Sequence, residues 1–399
     1  MSYEPGTAGE ERLRDYLDNR IGRHLRDVRK RESFAMYACG ILGDSERKSV
    51  EAIACRACDD PARARATHEK LLHLIGRSRW DDRAVRLEAV RYAIEALSVK
   101  EPLTTWIVDD TGFLKKGKHS VGVQRQYTGT AGKIANCQLG VSLVLATPTE
   151  HLPIDFDLYL PECWLGDPAR RREARIPNDV VFKTKVEMAI EMIRRARANG
   201  IPGELMLADA FYGRSGEFRA AVIELGMDYA VAVDSDTMVR LADDGQPIGE
   251  RVRADQVATT RHDFRRITWR EGTQHTLVSR FCFRRVVVDR DGADAQWLVI
   301  EWPEHEKAPT KFVLTTLPRR LSKKQIIRLL KERWRTERAY EDLKGELGLD
   351  HFEGRSYTGW QHHVSVVLCC YAFVVAERAR HFPPSRRGQS RHRAHSVAA

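Results

Sequence analysis

The stretch that most constrains this 399-residue chain is Leu205-Met206-Leu207-Ala208, closed by Asp209. A strand with one wet face alternates apolar and polar residues, whereas a short unbroken apolar run reads as a central strand covered on both faces. Such a strand needs helices on both sides of its sheet. The neighbouring sequence provides them: a long helix is expected at 179–199 and another after Gly213, before "DYAVAVDSD". Upstream, "LTTWIVDD" (103–110), "VGVQRQYTG", "CQLGVSLVLAT" and "LPIDFDLYL" read as strands separated by Gly- and Pro-containing turns. This order predicts an α/β fold with a mixed sheet. Asp109 and Asp110 are expected to close the first strand and Asp209 the central one. Ligands of such sheets collect at strand C-termini. Taken singly, each Asp is equally a turn former.

A second acidic position comes from "KERWRTERAYEDLKGEL", 331–347, within a helix expected over 322–347. With Glu337 at zero and about 100° per residue, Ile326 falls at about −20°, Leu330 at about +20°, Trp334 at about +60° and Tyr340 at about −60°. The apolar face is therefore expected to centre on Glu337. Arg333, Glu341 and Lys344 share that face, and Lys331, Glu332, Arg335, Arg338, Asp342 and Glu346 occupy the opposite one. An ordinary surface helix laced with i,i+4 pairs would keep its charges off the apolar stripe. Charges aimed at a core are costly unless they are paired, bind metal or line a polar cleft. The pattern points to an active site.

The remaining sequence divides by texture. Residues 1–99 read as a basic all-α, DNA-binding module, with Leu13, Leu17, Ile21, Leu25 and Val28 at helical spacing and further helices at 46–57, 61–76 and 81–97. Residues 100–235 hold the first part of the α/β core. Residues 236–307 turn and alternate like antiparallel strands, a β-rich insertion. Residues 308–379 complete the core with the Glu337 helix and an apolar helix at 363–379, and 380–399 form a basic tail expected to be disordered. Net charge of +10 favours a polyanionic partner. No run long enough for a membrane span and no apolar leader are visible, so a cytoplasmic location is expected. Cys55 and Cys58 form one CxxC, but a zinc site needs two further ligands, so the eight cysteines read as free thiols.

Asp110 (or Asp109), Asp209 and Glu337 offer oxygen ligands without His or Cys, a set suited to Mg²⁺ or Mn²⁺. Two such ions could activate a water or 3′-hydroxyl and stabilise the leaving oxygen of a phosphodiester. Lys115 and Lys116 follow the first acids, and Arg333 and Lys344 flank Glu337. All four are candidates for DNA phosphate contacts, although Arg333 and Lys344 could equally pair with Glu337 or Glu341.

These blocks carry a resemblance. "DSERKSVEAIA", "WIVDDTGFLKKGKHSVGVQRQYTG", "LADAFYG" and "RWRTERAYEDLKGELGLDHFEGRSYTGWQHHV" make the chain similar to the DDE transposases of bacterial insertion sequences, with a ribonuclease H-like core. In the branch with a β-rich insertion, the last motif is Tyr, two residues, Arg, three residues, Glu, six residues, Lys. Arg333, Glu337 and Lys344 match it, with Leu330 at the Tyr position. That branch has Thr after its first catalytic Asp, which favours Asp110, before Thr111, over Asp109. The resemblance implies Asp110, Asp209 and Glu337 as catalytic metal ligands for two Mg²⁺ or Mn²⁺ ions. It implies double-stranded DNA, as transposon ends and target, for a partner, and a homodimer in the synaptic complex. A Trp of the insertion that holds a flipped base would be Trp269, Trp297 or Trp302, each equally able to be a core aromatic. The competing functions are a domesticated DNA-binding protein without catalysis and a structure-specific nuclease.

Overall fold

The computed structural model describes residues 7–271, 276–288 and 295–381. The expectation for the tail therefore falls outside the described residues beyond His381.

The N-terminal third is helical: α1 (Ala8–Asp15), a π turn at Tyr16–Ile21, α2 (Val28–Leu42), α3 (Val50–Ala57), α4 (Pro61–Gly76) and α5 (Asp82–Ser98). Its starts are set by side chains that satisfy otherwise orphaned N–H groups. Thr7 and Glu10 form a reciprocal capping box at α1. Asp60 caps α4 ahead of Pro61, which lacks the N–H that would go unbonded there. Asp81 caps α5 through the N–H of Ala84.

The core follows as β1 (Thr105–Leu114), β2 (Gln124–Thr128), β3 (Lys133–Ala146), β4 (His151–Leu158), α6 (Glu162–Leu165), α7 (Pro168–Ala174), α8 (Lys185–Ala198), β5 (Leu205–Ala208), α9 (Ala210–Gly213), α10 (Gly216–Glu224) and β6 (Asp228–Val233). The β-rich segment contributes β7 (Met238–Asp243), β8 (Gln246–Arg253), β9 (Arg265–Glu271), β10 (Thr276–Val287) and β11 (Gln296–Trp302). The chain ends with β12 (Lys311–Thr315), α11 (Lys323–Leu330), α12 (Trp334–Gly345) and α13 (Tyr357–His381).

All strands belong to one mixed sheet of order β2-β3-β1-β5-β6-β12-β11-β10-β7-β8, with β4 on β3 and β9 on β10. β1, β5 and β6 are mutually parallel. β5 sits between them and is buried along its whole length, as its composition requires. β12 joins β6 to β11, so the β-rich segment extends the core sheet.

Each face of the sheet carries its own apolar cluster. Trp106, Val108, Met206 and Ala208 pack with α8, α13 and the N-terminal helices. Ile107, Leu205 and Leu207 pack with Ile326 and Ile327 of α11. α13 begins at Tyr357, six residues earlier than its apolar run, because Ser356 caps it through the N–H of Gly359. Among the described residues it is the one helix long and apolar enough to cross a membrane, yet it is buried against α5, α2, α4 and β4. Val364, Val366, Val367 and Val375 are fully enclosed there, each worth about 1.5–3 kcal/mol of burial. The N-terminal helices thus share a core with the sheet through α13.

Candidate active site

β1 does not end at its acids. Its antiparallel pairing with β3 runs on to Leu114 opposite Cys137, whereas its parallel neighbour β5 stops at Ala208, opposite Val108. Asp109 and Asp110 therefore lie mid-strand, just past the point where β5 ends, and the expectation that they close β1 is corrected. Successive strand side chains point to opposite faces. Asp109 shares the face of Ile107, towards α11 and α12. Asp110 shares the face of Trp106 and Val108, towards α8.

Each acid meets a cation on its own side. Arg333 Nη1 donates to Asp109 Oδ2 at 2.8 Å. Lys185 Nζ, on the first residue of α8, donates to Asp110 Oδ2 at 2.7 Å and stands 4.0 Å over the ring of Phe211. The Tyr212 hydroxyl donates to the same Asp110 oxygen at 3.4 Å. Asp209 does close β5. Its Oδ1 accepts from the N–H groups of Phe211 and Tyr212, at 3.0 and 3.3 Å, and so starts α9. Burial pushes Asp109 up to about 7, against the pull of Arg333 and with a further push from Asp209. Burial also raises Asp209, opposed by the Tyr212 N–H and Arg333, while the charge of Asp110 adds to the rise.

Glu337 reaches the cluster by a route the helical wheel did not show. The expected 322–347 helix is broken by a 3₁₀ turn at Lys331–Arg333. A 3₁₀ turn advances about 120° per residue instead of about 100°, so the phase set by Ile326 and Leu330 does not carry into α12. The buried face of α12 comprises Thr336, Ala339, Tyr340 and Leu343 together with Arg335 and Asp342. Glu337, expected at the centre of the apolar face, is 62% exposed. Arg335 and Asp342, placed on the wet face by the wheel, are the buried charges. Arg335 donates to Glu332 and to the carbonyl of Pro148. Asp342 accepts from the Tyr371 hydroxyl at 2.9 Å and forms an ion pair with Arg338 at 3.0 Å, with His151 Nε2 at 3.3 Å. Burial holds His151 down at about 4, opposed by Asp342. Buried charges need partners, and the wheel had located the right problem on the wrong residues. Glu337 is nonetheless tied to the site, because Arg333 Nη2 donates to its Oε1 at 3.1 Å. One guanidinium bridges Asp109 and Glu337.

Asp109, Asp110 and Asp209 thus lie near one another at the C-terminal edge of the parallel strands, and Glu337 of α12 is linked to Asp109 through Arg333. Residues 21–276 match the family model of the DDE superfamily endonucleases, and residues 182–373 match that of the transposase DDE domain. The chain belongs to the DDE endonuclease superfamily. It is 30% identical, over 216 residues, to a "Probable transposase for insertion sequence element IS701" of Microchaete diplosiphon. That alignment covers 54% of this chain and 52% of the relative, so the chain spans about half the length of the curated protein it matches.

For this superfamily member the donor set of Asp109, Asp110, Asp209 and Glu337 is all oxygen, which fits a hard divalent cation. Among the described residues no three acids are already gathered as a metal cage. The ammonium of Lys185 and the guanidinium of Arg333 hold the carboxylates instead.

Lys344 is seated beside β1, its Nζ donating to Thr111 Oγ1 and the Gly112 carbonyl, both at 2.8 Å. Burial lowers its pKa. Glu341, its expected acidic neighbour, pairs with Arg338 instead. Lys115 donates to the Phe352 carbonyl at 2.9 Å and is also lowered by burial. Lys116 is exposed.

Of the three insertion tryptophans, Trp302 is buried and donates to the Glu306 carbonyl at 3.0 Å. Trp269 and Trp297 pack edge-on against Phe281 and Phe283. Trp334, adjacent to Arg333, was expected on the apolar face. It is 39% exposed because the 3₁₀ turn rotates it off the apolar face.

Proposed function

We propose that this chain is a transposase of an insertion sequence. It binds the terminal inverted repeats of its element as double-stranded DNA, cleaves there and joins the 3′ ends to target DNA. Membership of the DDE superfamily supports the reaction class, and the acids gathered where β5 ends carry the reading to specific residues. Asp110, Asp209 and Glu337 are the proposed catalytic residues and ligands of two Mg²⁺ or Mn²⁺ ions, with Asp109 a fourth carboxylate beside them. Bound there, the ions would supply activation of a water or 3′-hydroxyl and stabilisation of the leaving oxygen.

The chain's own groups have separate tasks. The backbone N–H groups of Phe211 and Tyr212 fix the orientation of Asp209. The Tyr212 hydroxyl does the same for Asp110. Arg333 and Lys185 neutralise Asp109, Glu337 and Asp110 in the metal-free protein, and become available to phosphate oxygens when a divalent cation takes over that charge. Lys344, held by neutral acceptors beside β1, and Lys115 and Lys116 extend a positive track along the DNA backbone. A homodimer in the synaptic complex would present two such sites to two ends.

The test is single-turnover cleavage and strand transfer by purified protein, on a labelled duplex copied from the DNA flanking the gene. Activity is expected with Mg²⁺ or Mn²⁺ and none in chelator. Asp110→Asn should remove cleavage while leaving duplex binding intact. Loss of cleavage in Asp109→Asn with retention in Asp110→Asn would transfer the catalytic role to Asp109. Metal-independent cleavage would refute the mechanism.

A further inference from the structure

Away from the acids, the fold builds a groove of about 990 Å³ between the N-terminal helices, the end of α7 and the start of α13. Six cations line it: Arg23 and Arg26 from the α1–α2 connection, Lys30 of α2, Arg77 and Arg79 from the α4–α5 connection, and Arg175 after α7. Among the described residues none of the six lies within ion-pair distance of a carboxylate. Their bonds are to backbone carbonyls: Arg23 to Asn19, Lys30 to Arg79 and Arg175 to Gly76. The groove's two acids are already engaged, Asp81 as the α5 cap and Asp82 with Arg86 at 2.9 Å. Gathering like charges from separate segments costs self-repulsion unless an anion answers them.

Two further observations point to a ligand. Ser78, between Arg77 and Arg79, is a groove-lining residue, 4% exposed, and its buried Oγ has no hydrogen-bond partner. A buried hydroxyl is ordinarily satisfied. Arg175 sits at φ 53, the left-handed position that ends α7 and that Gly or Asn usually takes. The fold thus tolerates a strained backbone where it places a guanidinium on the groove wall.

We infer that this groove binds the sugar-phosphate backbone of duplex DNA. The inference rests on the transposase reading and supplies an anchoring surface separate from the acids. Cations suit phosphate oxygens, which position a duplex without reading its sequence. Single-strand binding would instead require aromatic faces free to stack on bases. Trp80 offers none: its ring is stacked 4.0 Å from that of His362, and its Nε1 donates to the Leu74 carbonyl.

The experiment measures binding of the full chain to a labelled duplex copied from the flanking DNA, and to a scrambled duplex of equal length, across a salt series. The double variant Arg77→Gln/Arg79→Gln removes two groove cations and keeps the Arg79 carbonyl that Lys30 uses. The control Arg63→Gln/Arg65→Gln removes equal charge from the exposed side of α4, outside the groove. Each lost phosphate contact lowers the slope of log affinity against log salt by about 1. The groove variant should therefore lose about 2 in slope on both duplexes, with an unchanged melting temperature, while the control keeps the wild-type slope. An unchanged slope in the groove variant, or an equal loss in the control, overturns the groove. Wild-type protein that binds no duplex at all overturns the transposase reading instead.

Discussion

The cations of this protein stand in two contrasting settings. At the acids, Arg333 and Lys185 are held at 2.8 and 2.7 Å by Asp109 and Asp110. In the groove, Arg77, Arg79 and their neighbours gather without an ion pair among the described residues, the acids Asp81 and Asp82 being engaged elsewhere. The same residue types therefore do opposite work. In the first setting removing a cation exposes a buried negative charge, and in the second it relieves repulsion. Where a cation's partner is internal, its loss should register first in the fold or in the metal. An unanswered cation should register only when DNA is added.

The largest effects expected on this contrast are catalytic. Arg333→Met and Lys344→Met should each reduce single-turnover cleavage by roughly ten- to hundredfold, the worth of a charge-assisted phosphate contact. Their melting temperatures should separate them. Arg333→Met leaves Asp109 buried without its cation and should melt clearly lower, whereas Lys344→Met loses only bonds to Thr111 and Gly112 and should melt nearer the wild type. Equal destabilisation with normal cleavage in both would reduce the pair to structural roles.

A smaller effect is expected at Lys185, whose ammonium occupies the Asp110 oxygen that a divalent ion would need. Calorimetric titration of Lys185→Met with Mn²⁺ should show tighter binding than wild type. Weaker binding would mean that Lys185 positions Asp110 instead of competing for it. Smallest of all is the stability change in Arg77→Gln/Arg79→Gln, for which thermal melts without DNA should show no loss or a slight gain. A marked loss there would erase the distinction between the two settings.

The sequence exposed the fold where local signals agree with one another. The helices expected at 61–76 and 81–97 are α4 and α5, and the apolar run ending at Asp209 is β5, because caps and burial act within a few residues. Other features depended on longer-range geometry. Asp109 and Asp110 resembled a strand end because the apolar run stops there, yet pairing with β3 carries β1 on to Leu114. The face of α12 was misread because three residues, Lys331–Arg333, change the helical pitch without any Gly or Pro to announce it. Ser356, a capping residue outside the apolar run, hid the true start of α13. The groove was least legible, since its cations come from separate segments that meet only in the folded chain. Lys185, a lysine at the start of an amphipathic helix, carried no signal at all.

In the proposed mechanism, the acids where β5 ends carry metal-dependent cleavage of DNA. Asp209→Asn tests it most directly. The amide oxygen introduced there could still accept from the N–H groups of Phe211 and Tyr212 and preserve the start of α9, while the charge is removed. The measurement is single-turnover cleavage of the flanking-DNA duplex in Mg²⁺ or Mn²⁺, alongside binding of the same duplex. Binding at wild-type affinity with no detectable cleavage is the predicted result. Cleavage by Asp209→Asn at the wild-type rate would contradict a catalytic role for this acid.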